Sequence, residues 1–165
     1  VTEMSDWVDL QEPAYCYYDF NATVYKNTYG ALYNWYCVNT GKLCPEGWHV
    51  PDLNEWNHLI TFIGGKDAAG VKLKETGTTH WLGYNGEATN LTGFTALPGA
   101  IIHGEGGFLI LGESGFFWSS TVDTSWLSET YAFSFLLSKD TNEIIGTNSY
   151  APHGESVRCV KDQNK

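Results

Sequence analysis

Basic residues are scarce in this chain of 165 residues: 9 Lys and Arg stand against 19 Asp and Glu, a formal charge of −10. A surface of that sign repels phosphate backbones and anionic headgroups, so nucleic acid is excluded as a general partner and membrane insertion of this chain is not expected. Methionine occurs once and proline five times. No apolar run approaches the ~18 residues that a membrane helix needs. Histidines are five, with no pair at i, i+4, which removes the helical zinc-protease pattern. The four cysteines contain no C-x-x-C and no His at zinc-finger spacing, so no metal site is expected from them. There is no D-x-D-x-D-G run of a calcium loop. Gly112-Glu113-Ser114-Gly115 is one residue short of a nucleophile elbow and reads as a plain turn.

What the chain has in quantity is aromatic and flexible. Seven Trp, ten Tyr and eight Phe make 15% of the residues, beside 18 Gly. Disordered chains lack such aromatics, and long helix bundles do not tolerate that much glycine. One aromatic-cored, loop-rich domain is the expectation. An even number of cysteines (Cys16, Cys37, Cys44 and Cys159) and few Lys suit a secreted or surface setting, where disulfides persist. Four cysteines allow three pairings. Val1 is not a start methionine, so a targeting segment is expected to be missing from this stretch. Asn21-Ala22-Thr23 and Asn90-Leu91-Thr92 are glycosylation sequons, relevant only in a eukaryotic secretory route.

Residues 1–28 show no period and are expected as an extended N-terminal segment packed on a domain spanning 29–162, with 163–165 as a tail. Residues 31–38 are β-branched and aromatic enough for a strand. Asp52 with Glu55 has capping-box spacing, Trp56, Leu59, Ile60 and Phe62/Ile63 recur at helical spacing, and Gly64-Gly65 ends the run. Residues 66–75 offer a second helix, weakened by Gly70. The glycine-dense stretch 76–115 predicts a long structured loop with short strands only at Phe94–Leu97 and Phe108–Leu111. Strands are expected at 116–121, at 130–137 with Tyr131, Phe133, Phe135 and Leu137 on one face, and at 155–161, with 141–150 as a turn and short return. Two early helices, a long loop and a small antiparallel sheet give a mixed α+β fold.

Several blocks are familiar. Tyr29-Gly30-Ala31-Leu32-Tyr33-Asn34-Trp35-Tyr36, Cys44-Pro45-Glu46-Gly47-Trp48-His49-Val50-Pro51, Gly93-Phe94-Thr95-Ala96-Leu97-Pro98-Gly99, Phe117-Trp118-Ser119-Ser120-Thr121 and Ser156-Val157-Arg158-Cys159-Val160 follow one another along the chain. Together they resemble the Fibrobacter succinogenes major paralogous domain over about residues 15–161. The resemblance implies a C-type lectin-like fold and an extracellular bacterial module, often on lipoproteins anchored through a preceding segment, with no settled biochemical role. It also implies that Cys44 pairs with Cys159 and leaves Cys16 for Cys37. The calcium and sugar motifs of sugar-binding C-type lectins do not recur: Glu12-Pro13 is followed by Ala14, and Trp126 by Leu127-Ser128.

A non-catalytic binding module is therefore expected, with a glycan or protein ligand. The formylglycine-generating enzymes share a distantly related fold and use a redox cysteine pair, but structural cysteines would leave no such pair here. A structural domain of a bacterial envelope or surface-fibre protein is the other alternative. Glycine-rich loops between rigid elements present recognition groups, and Trp and Tyr give large contact area at low entropy cost. Trp126, Tyr150, His153, Tyr84 and His103 are the expected ligand-binding residues. Trp35, Trp48, Trp56, Trp81 and Trp118 are assigned to the core. No cofactor is expected; the oxygen ligands that calcium would take are Glu87, Asn90, Glu105, Glu113, Asp123 and Glu129, in or near the long loop.

Overall fold

Leu53–Phe62 form a helix whose start is written in two side chains. The Asp52 carboxylate accepts from the Glu55 N–H at 2.8 Å, and Glu55 reaches back to accept from the Asp52 N–H at 2.9 Å. In the computed structural model, which describes residues 1–8, 10–83, 85, 87–126 and 130–163, this is the fourth of five α-helices among the described residues. The others are α1 (Met4–Trp7), α2 (Ala22–Tyr29), α3 (Trp35–Val38) and α5 (Lys66–Leu73), with Leu53–Phe62 as α4. The strands are β1 (Tyr15–Cys16), β2 (Leu32–Asn34), β3 (Trp48–His49), β4 (Ile101–Ile102), β5 (Phe108–Leu109), β6 (Ser114–Asp123), β7 (Tyr131–Ser138), β8 (Ile144–Tyr150), β9 (Gly154–Glu155) and β10 (Val160–Lys161).

The sheets are antiparallel. One runs β1-β2-β9-β4-β5, a second pairs β10 with β3, and a third is the meander β6-β7-β8. The fold is thus mixed α and β. Three buried clusters fill it: Trp56, Leu73, Trp81, Phe117 and Phe135 under α4 and α5; Trp35, Val50, Trp118 and Ala151; and Trp7, Cys16, Leu32 and Ile102. Each cluster is stapled by indole N–H groups, as buried Trp requires. Trp7 donates to Pro152 O (3.1 Å), Trp35 to Ser119 O (3.1 Å), Trp81 to Ala96 O (3.1 Å) and Trp118 to Tyr33 O (2.7 Å).

Cys44 and Cys159 form a disulfide across 115 residues of sequence, with Cα atoms 5.9 Å apart. The second pairing is corrected: Cys16 and Cys37 are free. Cys16 points into the Trp7 cluster, whereas Cys37 sits on α3, beyond the turn that Asn34 makes.

Other expectations change as well. Residues 1–28 hold two helices, and α2 is capped by the Asn21 side chain accepting from Val24 N–H. The strand over 31–38 ends at Asn34, whose buried amide caps α3 through Cys37 N–H while accepting from Ala14 N–H and donating to Glu12 O. Phe94–Leu97 is not a strand; Ala96 makes a single parallel bridge to Lys74. Residues 144–150 form the full strand β8, and 155–161 divides into β9 and β10. Trp48 is 44% exposed rather than core, because β3 is an edge pair held by His49 instead: its Nδ1 lies 2.6 Å from Asp162 and its Nε2 2.9 Å from Glu55.

Candidate functional site

The meander β6-β7-β8 is covered unevenly. Phe135 and Leu137 on β7 lie in the cluster beneath α4 and α5, while Tyr131 and Phe133, on the same face by the two-residue period, are only partly buried. Ala132 and Ser134 are buried on the opposite face, so β7 is not the one-sided strand its sequence predicts.

At the less covered end, register does the assembling. Tyr131 pairs with Tyr150 of β8 on one side and with Asp123 of β6 on the other. The Tyr131 and Tyr150 rings stand 5.5 Å apart, and Trp126, from the β6–β7 connection, lies on Tyr131 at 4.7 Å with 30° between planes. After β8 the chain turns, with His153 N–H donating to Tyr150 O at 2.8 Å, and the His153 ring meets Tyr150 edge-on at 5.8 Å. His103 follows β4, which pairs with β9 through Ile102 and Gly154, and its ring lies 4.2 Å from that of His153. Gly104 permits the approach: a β-carbon there would stand 2.9 Å from Pro152 and 3.3 Å from the Tyr150 ring.

The result is one continuous aromatic strip, His103–His153–Tyr150–Tyr131–Trp126. It rests on rigid parts, since Trp7 holds Pro152 O and Trp35 N–H donates to Ala151 O. Four of the five residues expected to contact ligand are brought together in it. Tyr84 lies outside the described residues. Tyr131, Asp123 and Asn148 join the site without having been singled out for it. Tyr131 was visible as an alternating strand residue, but its partner across β8 was not.

Electrostatics grade along the strip. At the Trp126 end, Asp123 accepts from the Ser125 hydroxyl at 2.6 Å, from Ser125 N–H at 3.0 Å and from the Asn148 amide at 2.5 Å. The Ser125 bonds above all, with further ones from Trp126 and Asn148, hold its carboxyl below the ordinary range. That carboxylate therefore stays ionised and fixes the indole beside it. At the other end, burial and then His103 push His153 down to about 4, so it is neutral at neutral pH. Behind the sheet, Glu155 is fully buried beside Ser134 and Ser149, with no hydrogen bond of good geometry to either carboxyl oxygen. The neighbouring Ser134 and Ser149 hydroxyls bond each other at 3.0 Å. Burial raises Glu155 to about 8, which those serines only partly oppose.

The oxygens weighed for calcium do not converge. Glu87 accepts from the Asn142 amide, Asn90 is bonded to Thr95, and Glu113 lies 3.9 Å from Lys139. Among the described residues no group of three His, Cys, Asp or Glu is placed to hold a metal ion. Glu129 lies outside them. His80 is turned onto Glu75 at 2.8 Å, away from the strip, and Trp81 is fully buried. No helix among the described residues is long and apolar enough to cross a membrane.

Residues 1–161 match the family model described as Fibrobacter succinogenes major domain, extending the resemblance through the N-terminal helices. Neither the curated proteins nor the solved structures give a match.

Proposed function

The chain belongs to the Fibrobacter succinogenes major domain family, and on that premise we propose that it is a non-catalytic recognition module of a secreted or surface-displayed protein, with the strip from His103 to Trp126 as its ligand-contacting face. The observation that carries this reading is the state of Trp126. It is 53% exposed, yet its ring is packed at a tilt against Tyr131 and bonded at its edge to an ionised carboxylate. An exposed indole already fixed in place loses little entropy when a flat apolar surface stacks on it. The exposed Asn148 amide beside it, one N–H of which is held by Asp123, supplies a polar partner for hydroxyls. That combination suits the apolar face and polar edge of a sugar ring, and we take a glycan as the ligand.

A C-type lectin-like arrangement is the finer fold assignment we favour. It is supported by the pairing of the late strand β9 with the early strand β2, and by the disulfide that ties Cys44, ahead of α4, to the C-terminal segment. The disulfide also agrees with an oxidising compartment.

A glycan array probed with the folded protein tests the reading, run with and without a calcium chelator. Binding to a defined set of glycans is expected, and the chelator arm reports whether calcium contributes. An array blank in both arms contradicts the glycan assignment and turns attention to protein ligands.

A further inference from the structure

A second site lies apart from the aromatic strip. Between α2 and the segment after β9 is a cavity of about 490 Å³, lined by Lys26, Tyr29, Tyr33, Thr95, Ser156 and Arg158 among others. Its size falls within the range of small-molecule sites. The chain carries 19 acids and 9 bases, yet the described residues lining this cavity include two cations and no Asp or Glu. Glu75, which acts electrostatically on the Tyr29 phenol, is already engaged by His80 at 2.8 Å.

Arg158 is held by ring contacts and a single hydrogen bond. Its guanidinium lies over the Phe94 ring at 5.1 Å and near Phe117 at 5.9 Å, and one N–H donates to Thr95 O at 3.1 Å. Among the described residues no carboxylate lies within ion-pair distance of it. A guanidinium has five N–H donors in a flat fork. Here the flat face is spent on aromatic rings and one donor on a carbonyl, so most of the fork is left for an incoming anion. Such an edge binds a carboxylate through two parallel bonds. Lys26, exposed on the last turn of α2, adds a second positive charge. The Tyr29 and Ser156 hydroxyls offer polar partners beyond the charge.

We propose that this cavity binds an acidic sugar of the uronic-acid class, with its carboxylate on the Arg158 fork and its ring hydroxyls toward Tyr29 and Ser156. A carboxylate alone would leave most of the cavity unfilled, and a neutral sugar would leave the fork unpaired. The proposal does not depend on the aromatic strip.

Titration of isotope-labelled protein with sodium glucuronate, followed by amide chemical shifts, is the test, with glucose and a short peptide bearing a free C-terminal carboxylate as comparison probes. Glucuronate is expected to shift Tyr29, Ser156 and Arg158 saturably with a dissociation constant on the order of 1 mM. Glucose is expected to leave them in place. Arg158→Lys keeps the charge but removes the fork and should weaken binding about tenfold. Lys26→Gln, at an exposed position where folding is not at risk, should weaken it several-fold and reduce its salt dependence. Equal shifts with glucose, no saturation with glucuronate, or wild-type affinity in Lys26→Gln and Arg158→Lys would each overturn the proposal. So would binding of the peptide without binding of glucuronate.

Discussion

Gly70 and Asn142 meet backbone to backbone: the Gly70 N–H donates to the Asn142 carbonyl oxygen at 2.8 Å, and a β-carbon on Gly70 would stand 2.5 Å from that oxygen. The glycine that weakens α5 as a helix is thus what lets α5 touch the β7–β8 turn. Nearby, the Lys74 ammonium donates to Ser138 O and Thr141 O of the same turn. In an open helix Gly→Ala would stabilise by about 1 kcal/mol. Here Gly70→Ala is expected to destabilise by roughly 1–3 kcal/mol, the usual cost of overpacking. Urea denaturation of the variant checks the sign.

Glu155 sets a pH dependence of its own. Burial raises it from the ordinary 4.5 to about 8, so between those values the unfolded chain has released a proton that the folded one retains. Stability therefore falls as pH rises through that window, by at most about 1.4 kcal/mol per pH unit, and levels off above it. Glu155→Gln should remove the decline. Urea midpoints at pH 5 and pH 8 for both proteins measure it, and parallel curves would contradict the assignment.

Two histidines act in opposite senses. Asp162 and then Glu55 raise His49 above 6.5, so its contribution is complete below pH 6.5 and is lost as pH rises through its folded value. His49→Gln should lower the melting temperature at pH 6 more than at pH 9, by a modest amount because all three side chains are partly exposed. His153 is depressed from 6.5 to about 4, so acidification across that interval favours the unfolded chain, which binds the proton first. His153→Phe should flatten the acid side of the stability curve, measured as melting temperature from pH 7 to pH 4.

The cysteines predict a thiol count. Unfolding without reductant should expose two titratable thiols per chain, Cys16 and Cys37, with Cys44 and Cys159 appearing only after reduction. In the folded protein Cys16 should react slowly, since burial pushes its thiol up to about 12. Reduction is expected to cost about 4–5 kcal/mol, the loop-entropy contribution of a closure this long. No thiol released on unfolding would restore the Cys16–Cys37 bridge.

Local signals carried the parts of the fold that are locally determined. α4 was legible because Asp52, Glu55, Trp56, Leu59 and Ile60 specify its start and its buried face within ten residues. α2 was not, since it buries no residue and so has no apolar period to read; only the Asn21 cap marks it. The strand predicted over 31–38 stops at Asn34 because that amide is claimed by Glu12 and Ala14, some twenty residues away. β8 was hidden by Gly146 and by Ile145, which faces solvent although its neighbour Ile144 is core. The candidate site divides the same way. Tyr150, His153, His103 and Trp126 could be chosen as loop-borne aromatics, but their meeting depends on Tyr131 pairing with both Tyr150 and Asp123. Register between distant strands leaves no trace in spacing along the chain.

Trp126 is the fixed, exposed contact at the end of the proposed recognition face. The most direct measurement compares wild type with Trp126→Ala on the same glycan array, with melting temperatures recorded to show that both are folded. The variant is expected to keep its melting temperature within a few degrees and to lose its glycan signals at least tenfold, the weight of one anchoring aromatic. A folded Trp126→Ala protein that binds the same glycans as strongly as wild type would contradict that role.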